Sequence, residues 1–344
     1  MIKVVHLIPF DGVGGVEVAA RSIKPDVYGD IDFQVHYIFN NIDLSKNYFA
    51  IFNPLRMIAA AWMLARSDID LLVVSLWRAS IVGLFVKLLR PKLKLVTFLH
   101  LDRNLHIVDS IFTYLSFKLS TEVWADSQTT LSKRIPNLGF IKGRVISFVT
   151  QNFLPLPEKN VNPSFVFWGR LNHQKDLVRA LHVFAAILEC RPDAKFTIIG
   201  PDAGVLNDLK NLVVFLGLSE SVIFIGYASH NQIIGYARQA SFYLQTSITE
   251  GMAMSVVEAM QFGLVPVVTP VGEIASYCRH GFNAVVISSE NQSIKAILTL
   301  LEDNNQYQEM RRHSIATWLD KPIYKDSILM ACNSLVCDLE HNLN

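Results

Sequence analysis

Cysteine is scarce in this chain: 344 residues hold only Cys190, Cys278, Cys332 and Cys337. Their spacing matches no zinc or redox motif, which argues against a disulfide scaffold and a thiolate metal site. All four stand in apolar stretches, as reduced, buried side chains of a cytosolic protein would. Long hydrophobic runs are missing as well. The most apolar region, 71–89, is interrupted by Arg78 and Lys87, so no stretch reaches the roughly 18 apolar residues of a membrane-spanning helix. The opening MIKVVHLIPF reads as a strand with no signal-peptide cleavage site after it.

A strong charge of one sign is also lacking. Residues 1–157 carry 17 Lys+Arg against 12 Asp+Glu, and the remainder 14 against 18. Neither half is basic enough to make nucleic acid the main partner. Acids are absent from 71–101, where Arg78, Lys87, Arg90, Lys92 and Lys94 stand. The segment SIVGLFVKLLRPKLK therefore has two readings. It is a sheet-covering helix with a solvated basic edge, or a basic amphipathic helix that meets an anionic membrane surface through residues 78–94.

What is abundant is apolar: 51% of residues are hydrophobic and 18% charged, the composition of large buried sheets. The length suits two domains. Short β-branched runs without alternation, such as Val4–Ile8, Phe33–Phe39, Leu71–Leu76, Phe165–Trp168 and Val265–Thr269, alternate with helical patterns. That rhythm predicts α/β architecture with parallel, doubly wound sheets in two Rossmann-like domains. LPLPEKNVNPS, with three prolines, marks a connector. The expected division is 1–157, 158–318 and a terminal helical segment 319–344.

Open parallel sheets bind ligands beyond the carboxyl ends of their strands, so polar signals count only there. DGVGGVE (Asp11–Glu17) follows the first strand, but Glu17 stands where the third glycine of a dinucleotide fingerprint belongs. Gly14 and Gly15 still allow backbone N–H groups to face an anion, or serve only as a tight turn. His100 ends the strand TFLH, as a satisfied core histidine or a hydrogen-bond partner for a sugar hydroxyl. In WGRLNHQKDLVRAL, Gly169 precedes Arg170 and Lys175, two cations whose fork and point charge suit a diphosphate. FIGY places Tyr227 at another strand end, where backbone can meet the edge of a base.

TEGMAMSVVEAM sets Glu250 and Glu258 around Gly251, Met252, Ala253, Met254 and Ser255. Ser255-Val-Val-Glu258 matches a capping box. Alternatively, the carboxylates take ligand hydroxyls while free N–H groups at Met252–Ser255 take phosphate oxygens. The triplet DID occurs at 30–32 and 68–70 before strands, away from those ends, and no metal site is expected.

Three of these stretches together resemble a known family. EGMAMSVVEAMQFGLVPVVTPVGEI is similar to the E-x7-E region of the retaining glycosyltransferases of family 4 (glycosyl transferases group 1, GT-B fold). GRLNHQKDLVRAL resembles their G-R-L-x(3)-K element, and GGVE their N-terminal glycine loop. The resemblance implies two facing Rossmann-like lobes with a cleft between them, and a nucleotide-diphosphate-sugar donor with no further cofactor or metal. It implies Arg170 and Lys175 on the diphosphate, Glu258 on the ribose and Glu250 on the donor sugar. Gly14 and Gly15 would approach the diphosphate and His100 the transferred sugar. The acceptor would be a glycan or lipid-linked saccharide in lipopolysaccharide, O-antigen or capsule assembly, reached from the cytoplasm or the inner membrane face. Two departures touch the sugar contacts: IIGPDAG replaces a glycine-rich turn, and Val271-Gly272 replaces a glycine pair. A nucleotide-sugar epimerase, a phosphorylase or a non-catalytic partner subunit would share the architecture.

Overall fold

The computed structural model describes residues 1–12, 15–24, 26–39, 53–135 and 141–337. The chain divides into two compact units, Met1–Gln151 with the segment from Pro322 onward, and Asn152–Lys321.

The first unit runs β1 (Ile2–Phe10), α1 (Gly15–Ser22), β2 (Asp26–Tyr28), β3 (Ile31–Phe39), α2 (Pro54–Arg66), β4 (Leu71–Ser75), α3 (Leu76–Leu89), β5 (Lys94–Leu99), α4 (Ile107–Leu119), β6 (Glu122–Ala125), α5 (Gln128–Arg134) and β7 (Gly143–Val145). Its sheet has the order β2-β3-β1-β4-β5-β6-β7. Every neighbouring pair is parallel except β2–β3, an antiparallel edge hairpin too short to show in the sequence pattern. At the other edge, β7 (Gly143–Val145) is only three residues long. Both DID triplets sit at the start of this sheet. Asp68 pairs with Lys3 at 2.5 Å, and the Asp70 carboxylate accepts the Lys3 N–H.

The second unit runs β8 (Ser164–Trp168), α6 (Leu177–Cys190), β9 (Lys195–Ile199), α7 (Leu206–Phe215), β10 (Val222–Gly226), α8 (His230–Gln239), β11 (Phe242–Gln245), α9 (Met254–Phe262), β12 (Val265–Val268), α10 (Ile274–Tyr277), β13 (Val285–Val286), α11 (Glu290–Glu302) and α12 (Asn304–Trp318). Its strand order is β10-β9-β8-β11-β12-β13, parallel throughout. The proline-rich connector is tied into this unit. Gln261 accepts the Phe153 N–H, and Phe262 O accepts that of Leu156.

The final helix, α13 (Tyr324–Cys337), completes the first unit, packing on α1, β1 and β3. Tyr324 is fully buried, beside Phe98 and Phe148. Cys278 and Cys332 are buried as expected, whereas Cys190, on the last turn of α6, is exposed.

Most cations of residues 78–94 are spent inside the unit. Lys87 donates to Leu93 O, Arg90 to Ser67 O and Ile69 O, and Lys94 to Leu335 O. Arg78 lies over the Trp77 ring at 4.3 Å. Carbonyls left open at helix and strand ends attract cations, and the expected basic edge is largely consumed by this framework.

Candidate functional site

In the second unit the loop after β11 is fastened to the turn after β8. Asp176, in the left-handed region at φ 45°, caps α6 by accepting the Arg179 N–H, and a short 3₁₀ turn, His173–Lys175, precedes it. Thr246 Oγ1 donates to Asp176 O, Ile248 N–H to Gln174 O, and Gln174 Nε2 to Thr249 O. These bonds bring Lys175 against Glu250, Nζ to Oε1 at 2.7 Å, with side chains 15% and 7% exposed. Lys175 is thus not a solvated charge. Arg170, by contrast, is exposed and makes no hydrogen bond or ion pair among the described residues.

Glu250 Oε1 also accepts from Gln245 Nε2 at 3.1 Å. Gln245 is fully buried, and its Oε1 accepts from the Tyr243 and Ser255 hydroxyls, each at 2.9 Å. The Tyr243 hydroxyl also lies 3.0 Å from Trp168 O, and Trp168 Nε1 donates to Glu258 Oε2 at 2.9 Å. One hydrogen-bonded cluster therefore holds Lys175, Glu250, Ser255 and Glu258. Gln245 and Tyr243, its centre, escaped the sequence reading, because polar residues within a buried strand carry no periodic signal. Burial raises the Glu258 carboxyl to about 7, against the opposing bond from Trp168.

The capping box does not form. Helix α9 begins at Met254, with Ala253 at φ 58° as its cap and no side-chain cap bond. Ser255 turns to Gln245 and Glu258 to Trp168, so the first N–H groups of α9 lack a side-chain acceptor. The approach to this end is braced: Gly251 O accepts the Glu273 N–H and Met252 O the Tyr277 hydroxyl. Gly272, at φ 54°, lies so close that a Cβ would fall 2.1 Å from Glu250 O. The helix ends at Gly263, φ 82°.

Gly169 and Gly200 abut at the ends of β8 and β9, and a Cβ on Gly200 would meet Gly169 O at 1.7 Å. A Cβ on Gly169 would come 3.7 Å from Lys175 Cε. Tyr227 follows β10 and is 76% exposed. In the first unit, Gly15 opens α1, and Gly14 lies outside the described residues. His100 is buried; its Nε2 meets Ser75 Oγ at 2.9 Å, and its Nδ1 has no partner among the described residues. One ring nitrogen of His100 is therefore satisfied by the core, and the other is buried without a partner among the described residues.

Residues 150–316 match the family described as Glycosyl transferases group 1. The matched residues make up just under half of the chain and nearly all of the second unit. A curated relative, the GDP-mannose:cellobiosyl-diphosphopolyprenol alpha-mannosyltransferase of Xanthomonas oryzae pv. oryzae (strain PXO99A), is 23% identical over 159 residues. The matched stretch spans 44% of this chain and 41% of that relative's own length. Among solved structures, Anabaena Alr3699/HepE in complex with UDP and glucose superimposes with a TM-score of 0.76 at 18% identity, covering 98% of this chain and 100% of that one. Sucrose-phosphate synthase (tll1590) from Thermosynechococcus elongatus gives 0.76 at 14% identity, covering 99% and 100%. At such identities the likeness is one of fold, and the fold is the expected α/β GT-B class. Within the matched residues, the GRL and E-x7-E elements are the stretches that the hydrogen-bonded cluster joins.

Proposed function

We propose that the chain is a retaining glycosyltransferase that moves a sugar from a nucleotide-diphosphate-sugar to a hydroxyl of a glycan or lipid-linked acceptor. The observation that carries this reading is the Lys175–Glu250 pair beside the uncapped start of α9, with Arg170 unengaged nearby in sequence. Departure of the nucleotide leaves a diphosphate gaining negative charge while the sugar becomes oxocarbenium-like. Arg170, the Lys175 ammonium and the N–H groups of Met252–Ser255 supply fixed positive potential for that charge. They fill the role that a metal ion fills elsewhere, and we infer metal-independent transfer.

Both internal contacts of Glu250 fall on Oε1 and that of Glu258 on Oε2. The remaining oxygens, Glu250 Oε2 and Glu258 Oε1, are the acceptors assigned to donor-sugar and ribose hydroxyls. Gly169, Gly251 and Tyr227 offer backbone to the nucleotide. Gly14, Gly15 and His100 keep the donor contacts that the family resemblance implies. With no side chain assigned as a nucleophile, departure is assisted from the same face that the acceptor attacks, which retains the anomeric configuration.

The GDP-mannose:cellobiosyl-diphosphopolyprenol mannosyltransferase relative and the UDP and glucose in complex with HepE support a nucleotide-sugar donor and a diphosphopolyprenol-type acceptor. Surface-polysaccharide assembly (lipopolysaccharide, O-antigen or capsule) at the cytoplasmic face is the role we assign. A panel of nucleotide-sugars, read first by thermal stabilisation and then by acceptor-dependent nucleotide release in the presence of a chelator, tests the proposal. Product anomers assigned by NMR must match the donor. Epimerised sugar without acceptor, or tight binding with no turnover, would replace transfer by the epimerase or the partner-subunit reading.

A further inference from the structure

Three neighbouring helices of the first unit leave an apolar face uncovered among the described residues. Helices α2 and α4 both pack on α3. On α2, Leu55, Ile58 and Trp62 recur on one side, with Leu55 71% exposed. On α4, Ile107 and Ile111 do the same, with Ile107 78% exposed, and Leu88 of α3 stands out between them at 66%. Scattered single apolar residues need no partner; side-by-side stripes on adjacent helices do.

The charges on this face have one sign. Arg56, Arg66 and Lys118 are exposed, and α2 and α3 contain no acid. The single acid of α4, Asp109, is buried, accepting from Leu105 N–H and Thr113 Oγ1. Two of the cations lie over aromatic rings that are themselves exposed. The Arg66 guanidinium sits 3.3 Å from the Trp62 centroid, and Lys118 Nζ 4.8 Å from that of Tyr114. A ring with a cation over it, on an apolar stripe, is the side-chain arrangement of a membrane interface, where rings and aliphatic stems sit at the headgroup boundary and charges reach lipid phosphates.

We propose that the α2–α3–α4 face docks on an anionic lipid bilayer. The cations that engage it are Arg56, Arg66 and Lys118, not the 78–94 set, most of which is already bonded within the unit. A second copy of the chain is the poorer occupant, since a self-complementary interface would bring cations against cations with no exposed acid on these helices to answer them. The proposal is independent of the transfer chemistry, because binding is read with no donor or acceptor present.

The full chain is mixed with phosphatidylcholine vesicles, with or without phosphatidylglycerol, and floated on a gradient at low and high salt. Flotation is expected with the anionic vesicles at low salt only. Replacing Arg56, Arg66 and Lys118 by Ser should weaken partition by roughly a hundredfold, since each cation near an anionic surface contributes on the order of fivefold. Trp62→Ser with Ile111→Ser should release the protein, while both variants keep the wild-type circular dichroism because the residues are exposed. Lys92→Ser should change nothing. Absence of flotation on anionic vesicles, or variants that float like the wild type, overturns the proposal. So does a concentration-dependent dimer that Trp62→Ser with Ile111→Ser dissolves, which would give the face to a second copy.

Discussion

His6 and His100 share a single hydroxyl: Ser75 Oγ lies 2.8 Å from one Nε2 and 2.9 Å from the other. The Tyr324 hydroxyl lies 3.4 Å from His6 Nδ1, its one hydrogen-bond contact among the described residues. A buried neutral phenol has a proton to give, so His6 Nδ1 accepts it, His6 Nε2–H donates to Ser75, and Ser75 donates to His100 Nε2. The proton of His100 then resides on Nδ1. Nitrogen-15 shifts of the imidazoles should report that tautomer for His100, and Tyr324→Phe, which frees the chain to reverse, should change it. An Nε2–H signal for His100 in the wild type would refute the ordering.

Both imidazoles are held neutral by burial, each lowered to about 3, with His6 adding repulsion at His100. The unfolded chain binds those protons near 6.5, so it holds more protons than the folded one between the two values. Stability from this pair is complete above 6.5 and is lost progressively as pH falls toward 3. Denaturant melts across that range should show the decline, and His6→Gln should make it shallower, leaving the part due to His100.

Glu258 has the opposite sign. Its carboxyl is raised from 4.5 to about 7, so the folded state holds the extra proton and stability falls as pH rises from 4.5 to 7. Glu258→Gln should remove that slope and melt higher than the wild type above pH 7. If the ionised carboxylate takes ligand hydroxyls, nucleotide affinity should rise through the same range in the wild type and not in the variant. Isothermal titration at several pH values separates the two effects.

Lys175 and Arg170 should differ when replaced by Ala. Arg170→Ala removes an exposed, unbonded cation and should cut turnover by about 10²–10³ while leaving the melting curve unchanged. Lys175→Ala strands the buried Glu250 carboxylate and should cost about 3–5 kcal/mol of stability as well as activity. Lys175→Met combined with Glu250→Leu should recover much of the stability and none of the turnover. Normal rates in both single variants would remove these residues from the mechanism.

Gly200 and Gly272 should tolerate no side chain. A methyl group at either would overlap backbone, and both have positive φ, 148° and 54°. Gly200→Ala and Gly272→Ala should each cost at least about 3 kcal/mol, in chemical denaturation of the full chain. Gly235→Ala, within α8 with open space around it and no positive φ, should cost little or nothing.

Much of this was legible in the residues. The β-branched runs Val4–Ile8, Phe33–Phe39, Leu71–Leu76, Phe165–Trp168 and Val265–Thr269 marked β1, β3, β4, β8 and β12. Local chemistry misled where tertiary contacts overrode it. Ser255 and Glu258 have capping-box spacing, but Ala253 adopts the left-handed conformation and starts the helix two residues earlier, beyond the reach of either side chain. Nothing in an Ala announces that backbone; the close approach of Gly272 and the Tyr277 bond hold it. Gln245 was illegible for another reason, since its value lies in three partners from β11, α9 and the loop between them. The cations of 78–94 look solvated in sequence because their acceptors are backbone carbonyls, which no side-chain pattern reveals.

The placement of α13 bears on how the polypeptide acquires its structure during synthesis. Tyr324 N–H donates to Val149 O, and Ser327 Oγ accepts the Ser147 N–H. Residues 152–321 thus leave the ribosome, and are free to condense, before the plug for the earlier sheet has been translated. Until it arrives, Phe98 and Phe148 border an empty slot, and the nascent protein carries a sticky opening that a chaperone would find.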